Sequence, residues 1–131
     1  MKTKTLTHTV IFKTTPHEIY EIFMDSDRHS RLLGRKSIVG REVGDKISIY
    51  GNYIDGVNLE LEPDKKIVQK WRTKEKGWPK NHFSKVTILI EPCREGSLVK
   101  FTQSGVPEEC YEVFDRDWYV FYWNPMKEKF Q

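Results

Sequence analysis

A chain of 131 residues, 37% hydrophobic and 31% charged with a net charge of +3, is long enough for one domain with one buried core, and the expected organisation is a single domain over 1–131. That composition excludes a disordered chain, and no apolar run approaches the roughly 18 to 20 residues a membrane span needs. The N-terminal MKTKTLTHTVIFKTT lacks the continuous apolar core of a signal peptide, so the expected location is the cytoplasm.

Residues 4–13, KTLTHTVIFK, place Leu6, His8, Val10 and Phe12 on one phase and mostly threonines on the other, the period of a half-buried strand. A helix start follows: Thr15 as N-cap, Pro16 at the first helical position and Glu18 three residues after the cap. Its buried stripe is Ile19, Tyr20, Ile22 and Phe23. A second short helix is expected from Ser26 to a stop at Gly34.

From about residue 35 to 104, short strands alternate with turns. DKISIYG alternates Ile47 and Ile49, and YIDGVNLELEP alternates Tyr53, Val57, Leu59 and Leu61 before the turn EPDKK. Then come IVQKWRT, FSKVTILIEP and SLVKFTQ, and strands this close in sequence read as an antiparallel meander. The chain ends in its longest helix, with Phe114, Trp118, Phe121, Tyr122 and Met126 at helical spacing. Pro125 clashes with the carbonyl of Phe121, so a kink or a lost hydrogen bond is expected there. The fold class is α+β: a curved antiparallel sheet with two short helices and a long C-terminal helix across it. The space between sheet and helix is either packed solid by these aromatics or left as a cavity for an apolar ligand.

No catalytic motif assembles. His8, His17, His29 and His82 are scattered singly, and there is no P-loop, GxSxG, HExxH or CxxC, so the chain reads as non-enzymatic, with no cofactor and no metal. Cys93 and Cys110 read as two free thiols. His8 shares the inward phase of the first strand and Asp55 the phase of Tyr53 and Val57. Each is either a polar handle inside a cavity or an ordinary satisfied polar group.

Charge is uneven. Residues 65–85 hold eight lysines and arginines against Glu75, whereas residues 107–117 hold five acids against Arg116, so an electrically polar molecule is expected. On its strand Trp71 shares its phase with Ile67 and reads as inward, leaving Trp78 as the exposed aromatic of a lysine-rich hairpin. Such a hairpin suits an acidic partner or simply shields a sheet edge. In the absence of any recognised nucleic-acid module, a nucleic-acid partner is not expected.

The motifs LELEPDKKIVQKWR, then WP and HFSKVTILIEP, then LVKFTQSGVPEE and a tryptophan-bearing final helix ending NPMKEKF resemble the family of activators of heat-shock protein 90 ATPase homologues. TPHEIYEIFMDSDRHSRLLG is similar to that family's first helices, so the resemblance covers nearly the whole chain. It implies a helix-grip fold of the START or Bet v 1 type, which is known for holding lipids and other hydrophobic molecules between sheet and helix. In the eukaryotic co-chaperone this unit is the C-terminal of two domains. The family usually carries an aromatic pair after the second helix, where this chain has Leu32 and Leu33.

Two functions follow as expectations. In the first, the chain binds a small hydrophobic molecule in a cavity lined by His8, Tyr53, Asp55, Val57, Trp71, Phe101, Trp118, Phe121 and Tyr122. In the second, it is a co-chaperone-like module that binds a heat-shock protein 90 family chaperone and stimulates its ATPase. The basic hairpin 72–85, with Lys74, Lys76, Trp78 and Lys80, would be the contact surface, and the expected state is a monomer or weak dimer.

Overall fold

Strand β1 (Thr3–Phe12) follows its sequence period, burying Leu6, His8, Val10 and Phe12 while the residues between them face solvent. The computed structural model describes all residues from Met1 to Gln131. Helix α1 (Pro16–Met24) begins where expected, the Thr15 hydroxyl accepting a hydrogen bond from the Glu18 amide. Helix α2 (Ser26–Leu33) follows after one residue. Asp25 caps it by accepting from the Arg28 amide, and Gly34 ends it at a φ of 73°, a left-handed conformation that suits glycine.

Six further strands complete one sheet: β2 (Ile38–Val39), β3 (Lys46–Ile49), β4 (Ile54–Glu62), β5 (Lys66–Thr73), β6 (Ser84–Cys93) and β7 (Gly96–Pro107). Their order is β1-β7-β6-β5-β4-β3-β2, every neighbouring pair antiparallel. From β3 to β7 the chain is the expected meander, and the two-residue β2, which no named run of the sequence announced, adds one strand at its edge. The helix pair α1 and α2 carries it from the β1 edge to the opposite edge, and β7 returns to pair with β1. The result is the helix-grip α+β fold.

The C-terminal helix runs through a 3-10 turn (Glu108–Cys110), α3 (Tyr111–Trp118), a π-helical segment (Tyr119–Trp123) and α4 (Asn124–Lys129). The expected disturbance at Pro125 takes the form of this π turn. Proline offers no amide to Phe121, and the Asn124 amide bonds to the Tyr119 carbonyl, five residues back. The extra residue in the turn brings Tyr122 and Trp123 to the inner side together.

The phase of β4 is a correction. Its inward residues are Ile54, Gly56 and Asn58, so Asp55 and Val57 lie on the outer face, and a bulge between Asn58 and Glu60 then shifts the register. The larger apolar residues lost the inner face because of what sits opposite. Gly56 pairs with Trp71, and a Cβ at position 56 would lie 1.8 Å from the Lys70 carbonyl oxygen, far inside van der Waals contact distance. Asn58 is needed inside for its hydrogen bonds: its Nδ2 donates to the carbonyls of Gly40 (2.7 Å) and Glu42 (3.0 Å).

A core of 27 buried hydrophobic residues fills the space between sheet and helices. Its tryptophans keep their indole N–H groups bonded. Trp71 donates to Gln69 Oε1 (2.8 Å), Trp118 to Gln103 Oε1 (2.9 Å) and Trp123 to His8 Nδ1 (3.0 Å). The glutamines are anchored in turn, Gln69 by Asn58 and Gln103 by Ser84. No buried side-chain polar atom lacks a partner, which holds these large rings in one arrangement.

Candidate functional site

Helix α3 and the π segment do not close completely onto the sheet. A cleft of about 180 Å³ remains, with ten hydrophobic residues and one carboxylate among its eleven lining residues. Strand β5 contributes Trp71, whose ring stacks on Trp118 of α3 at 5.2 Å and 22°. Tyr122 stacks on the other side of Trp118 at 4.5 Å, and its hydroxyl donates to His29 Nε2 at 2.8 Å. Tyr50, Tyr53 and Phe121, half-buried, form the aromatic mouth, with the Tyr50 and Phe121 centroids 5.7 Å apart. Tyr50 holds its place from a left-handed backbone (φ 57°), beside Gly51 (φ 68°), in the tight β3–β4 turn.

The polar element of the cleft is Asp117. Burial pushes its carboxyl above the usual range, and the nearby Glu75 adds to the effect, while Arg116, 3.4 Å away, pulls the other way. Glu75 accepts the hydrogen bond of the Tyr53 hydroxyl, and burial together with this contact pushes the Tyr53 phenol upward.

Of the nine residues expected to line a cavity, Tyr53, Trp71, Trp118, Phe121 and Tyr122 meet in the cleft. Phe101 stands behind it, fully buried, its ring 4.1 Å from that of Trp118. The other three are corrections. His8 is inward but lies deeper, between Phe101 and Tyr119; its Nδ1 accepts from Trp123 and its Nε2–H donates to Asp115 at 2.7 Å, so both ring nitrogens are occupied. Asp55 sits on the outer face in a two-point ion pair with Arg72 (3.1 and 2.9 Å). Val57 shares that outer face.

Sequence reasoning missed Leu33, Ile49, Tyr50, Ile54, Phe114 and Asp117 as cleft residues. A signal existed for three of them. Phe114, Asp117 and Phe121 stand three and four residues apart, the spacing of one helix face. Leu33, in place of the aromatic expected after α2, had its own signal in the family comparison and reaches the cleft wall.

The loop between β5 and β6 also departs from expectation. Trp78 is only 7% exposed, its ring 5.4 Å from Phe114 and its indole N–H donating to the His82 carbonyl at 2.8 Å. It is an anchor, because a tryptophan so close to the apolar end of α3 gains more by burial than by waiting in water. Lys74, Lys76 and Lys80 are exposed. The expected charge separation is reduced in space: Glu109 packs beside Gly77, and the Cys110 thiol donates to the Lys76 carbonyl, so the acidic stretch lies against the basic loop. Cys93 and Cys110 are free thiols. No helix is long and apolar enough to cross a membrane, and no group of three or more His, Cys, Asp or Glu is gathered as a metal site.

The model of the family described as activator of Hsp90 ATPase homolog 1-like protein matches residues 13–130. The chain belongs to this family. Among curated members, the activator of 90 kDa heat shock protein ATPase homolog of Dictyostelium discoideum is 32% identical over 117 residues, covering 88% of this chain and 30% of that protein. The human homolog 1 is 27% identical over 126 residues, covering 91% and 35%. The chain thus spans about a third of the length of these Hsp90-activator homologues. Among solved structures, a Mesorhizobium loti protein superposes with a TM-score of 0.82 at 18% identity, covering 95% of each chain. The Aha1 dimer of Colwellia psychrerythraea gives 0.81 at 20%, covering 97% of this chain and 96% of that one. An HSP90 activator of Plasmodium falciparum gives 0.71 at 23%, covering 87% and 88%. At these identities the structures show a shared fold.

Proposed function

We infer that this Hsp90-activator homologue is a binding module for a small apolar molecule held between the sheet and the C-terminal helix. The observation that carries this reading is the cleft itself, about 180 Å³ with ten of eleven lining residues apolar, in a core whose buried polar atoms are otherwise all satisfied. An apolar cavity of about 150 Å³ is enough to take up a single aromatic ring. The rigid walls favour this use, since the Trp71, Trp118 and Tyr122 rings are stacked on one another and tied by hydrogen bonds, so little ordering is left to oppose binding.

The test is native mass spectrometry of the protein purified from its own cells, followed by organic extraction and titration of the extracted compound against tryptophan fluorescence. A compound that travels with the protein and quenches Trp71 and Trp118 supports the reading. Failure of both extracted compounds and small aromatic probes to perturb these tryptophans overturns it.

A chaperone-binding role is the second reading, and its support is the names of the curated relatives together with the exposed Lys74, Lys76 and Lys80. It calls for a pull-down and an ATPase assay with a 90 kDa heat-shock chaperone. Association through the loop predicts binding that weakens steeply with salt.

A further inference from the structure

Resting on the reading of the cleft as an apolar-ligand site, we propose that its ligand is an apolar body, about the size of one aromatic ring, bearing a protonated amine that is received by Asp117 and Glu75 at the cleft mouth.

The charges around the mouth carry this inference. Asp117 is the one charged residue of the lining, on the same helix face as Phe114 and Phe121, so an apolar group seated between those rings has its polar end at the carboxylate. Glu75 stands on the adjoining loop and is held toward the mouth by the Tyr53 hydroxyl, and Tyr53 is itself a cleft residue. No lysine, arginine or histidine lines the cleft. Two basic groups lie near, Arg116 as a long, exposed ion-pair partner of Asp117 itself, and neither lines the cleft. The Arg116 guanidinium reaches Asp117 only at 3.4 Å from a side chain 68% exposed, and Arg35 lies over the Tyr50 ring, 5.2 Å from its centroid.

A carboxylate or phosphate head meets like charge here, whereas an ammonium makes a charge-assisted hydrogen bond to Asp117. The same ammonium lies among tyrosine and phenylalanine rings, whose faces attract cations. Asp117 is already partly removed from water, its side chain 27% exposed, so the fold has borne much of the desolvation that such a contact requires. Fatty acids, the usual guess for an apolar cleft, are thereby disfavoured.

The experiment titrates three probes of one shape, 2-phenylethylamine, 2-phenylethanol and phenylacetate, while the indole N–H resonances of Trp71 and Trp118 are followed by NMR. The expected result is that the amine binds about tenfold or more tighter than the acid, with the alcohol between them, as one charge-assisted hydrogen bond allows. Asp117→Asn should then lower the affinity for the amine by about tenfold and leave the alcohol unchanged. If the acid or the alcohol binds as tightly as the amine, or if Asp117→Asn leaves the preference intact, the charge assignment fails and the apolar cleft stands. If none of the three moves the two indoles, the cleft reading fails and this inference with it. Should Asp117→Asn not fold, the wild-type ratio of amine to acid decides the question.

Discussion

The indole of Trp71 on β5 lies on the indole of Trp118 on α3, centroids 5.2 Å apart and planes inclined by 22°, and this pair joins the sheet to the C-terminal helix at the floor of the cleft. Each N–H is bonded to a different glutamine, so neither ring can slide without leaving an acceptor buried and unpaired. Trp118→Ala removes the stack and orphans Gln103 Oε1, and the expected loss of stability is about 3–5 kcal/mol. Urea unfolding followed by circular dichroism measures it. A loss below about 1 kcal/mol would show that the helix is held elsewhere.

Gly56→Ala is a small change in formula with a large expected effect. The new methyl group would overlap a backbone oxygen of the neighbouring strand, and β4 and β5 would have to separate at the cleft wall. Destabilisation of about 3 kcal/mol or more is expected, at the upper end for overpacking because backbone cannot rotate aside. Thermal unfolding beside a control such as Gly44→Ala, where a Cβ meets open space but φ is 89°, separates steric overlap from backbone strain.

His29 makes stability depend on pH. Its Nδ1–H donates to the Phe23 carbonyl and its Nε2 accepts from Tyr122, so the folded state holds it neutral, and burial pushes its pKa down to about 4 from the usual 6.5. The unfolded chain binds the proton near the usual value. The contribution of His29 is therefore complete above about pH 6.5 and is lost as pH falls toward 4, on the order of 3 kcal/mol in all. Urea midpoints of wild type and His29→Gln, taken across that window, should converge as pH falls; parallel curves would show that His29 titrates alike in both states.

Leu33→Trp tests the cleft by filling it. Leu33 is half-buried on the cleft wall, so a larger ring can enter the void at little cost to the surrounding packing. Probe binding at Trp71 and Trp118 should disappear, with stability changed by about 1 kcal/mol or less. Retained binding would place the apolar probe somewhere other than this cleft.

The β5–β6 loop offers a separable pair of changes. Trp78→Ala takes away a buried anchor against Phe114 and should cost about 3 kcal/mol of stability. Lys74→Glu with Lys76→Glu alters exposed side chains and should leave stability within about 0.5 kcal/mol. If the loop docks on an acidic chaperone surface, the lysine reversals weaken that association and the weakening shrinks in high salt. Unchanged association in the pull-down removes the loop from the contact.

Local periodicity and capping made most of the secondary structure legible. Thr15, Pro16 and Gly34 mark helix ends by chemistry confined to a few neighbouring residues, and Leu6, Val10 and Phe12 declare a buried face by alternation alone. The same local rules misread β4. Asp55 and Val57 take the outer face because the Lys70 carbonyl, on another strand, leaves no room for a Cβ at Gly56 on the inner one. Trp78 was misread for a related reason, since its partner Phe114 lies far along the chain. Sequence by itself therefore determined the ends of the first two helices, the meander from β3 to β7 and the aromatic face of the last helix. Tertiary structure alone decided which phase of β4 turns inward, how the acidic and basic stretches meet, and that a cleft with one carboxylate survives between helix and sheet. Packing between distant residues sets those outcomes, and the shape left over when large rings meet is a property of all of them together.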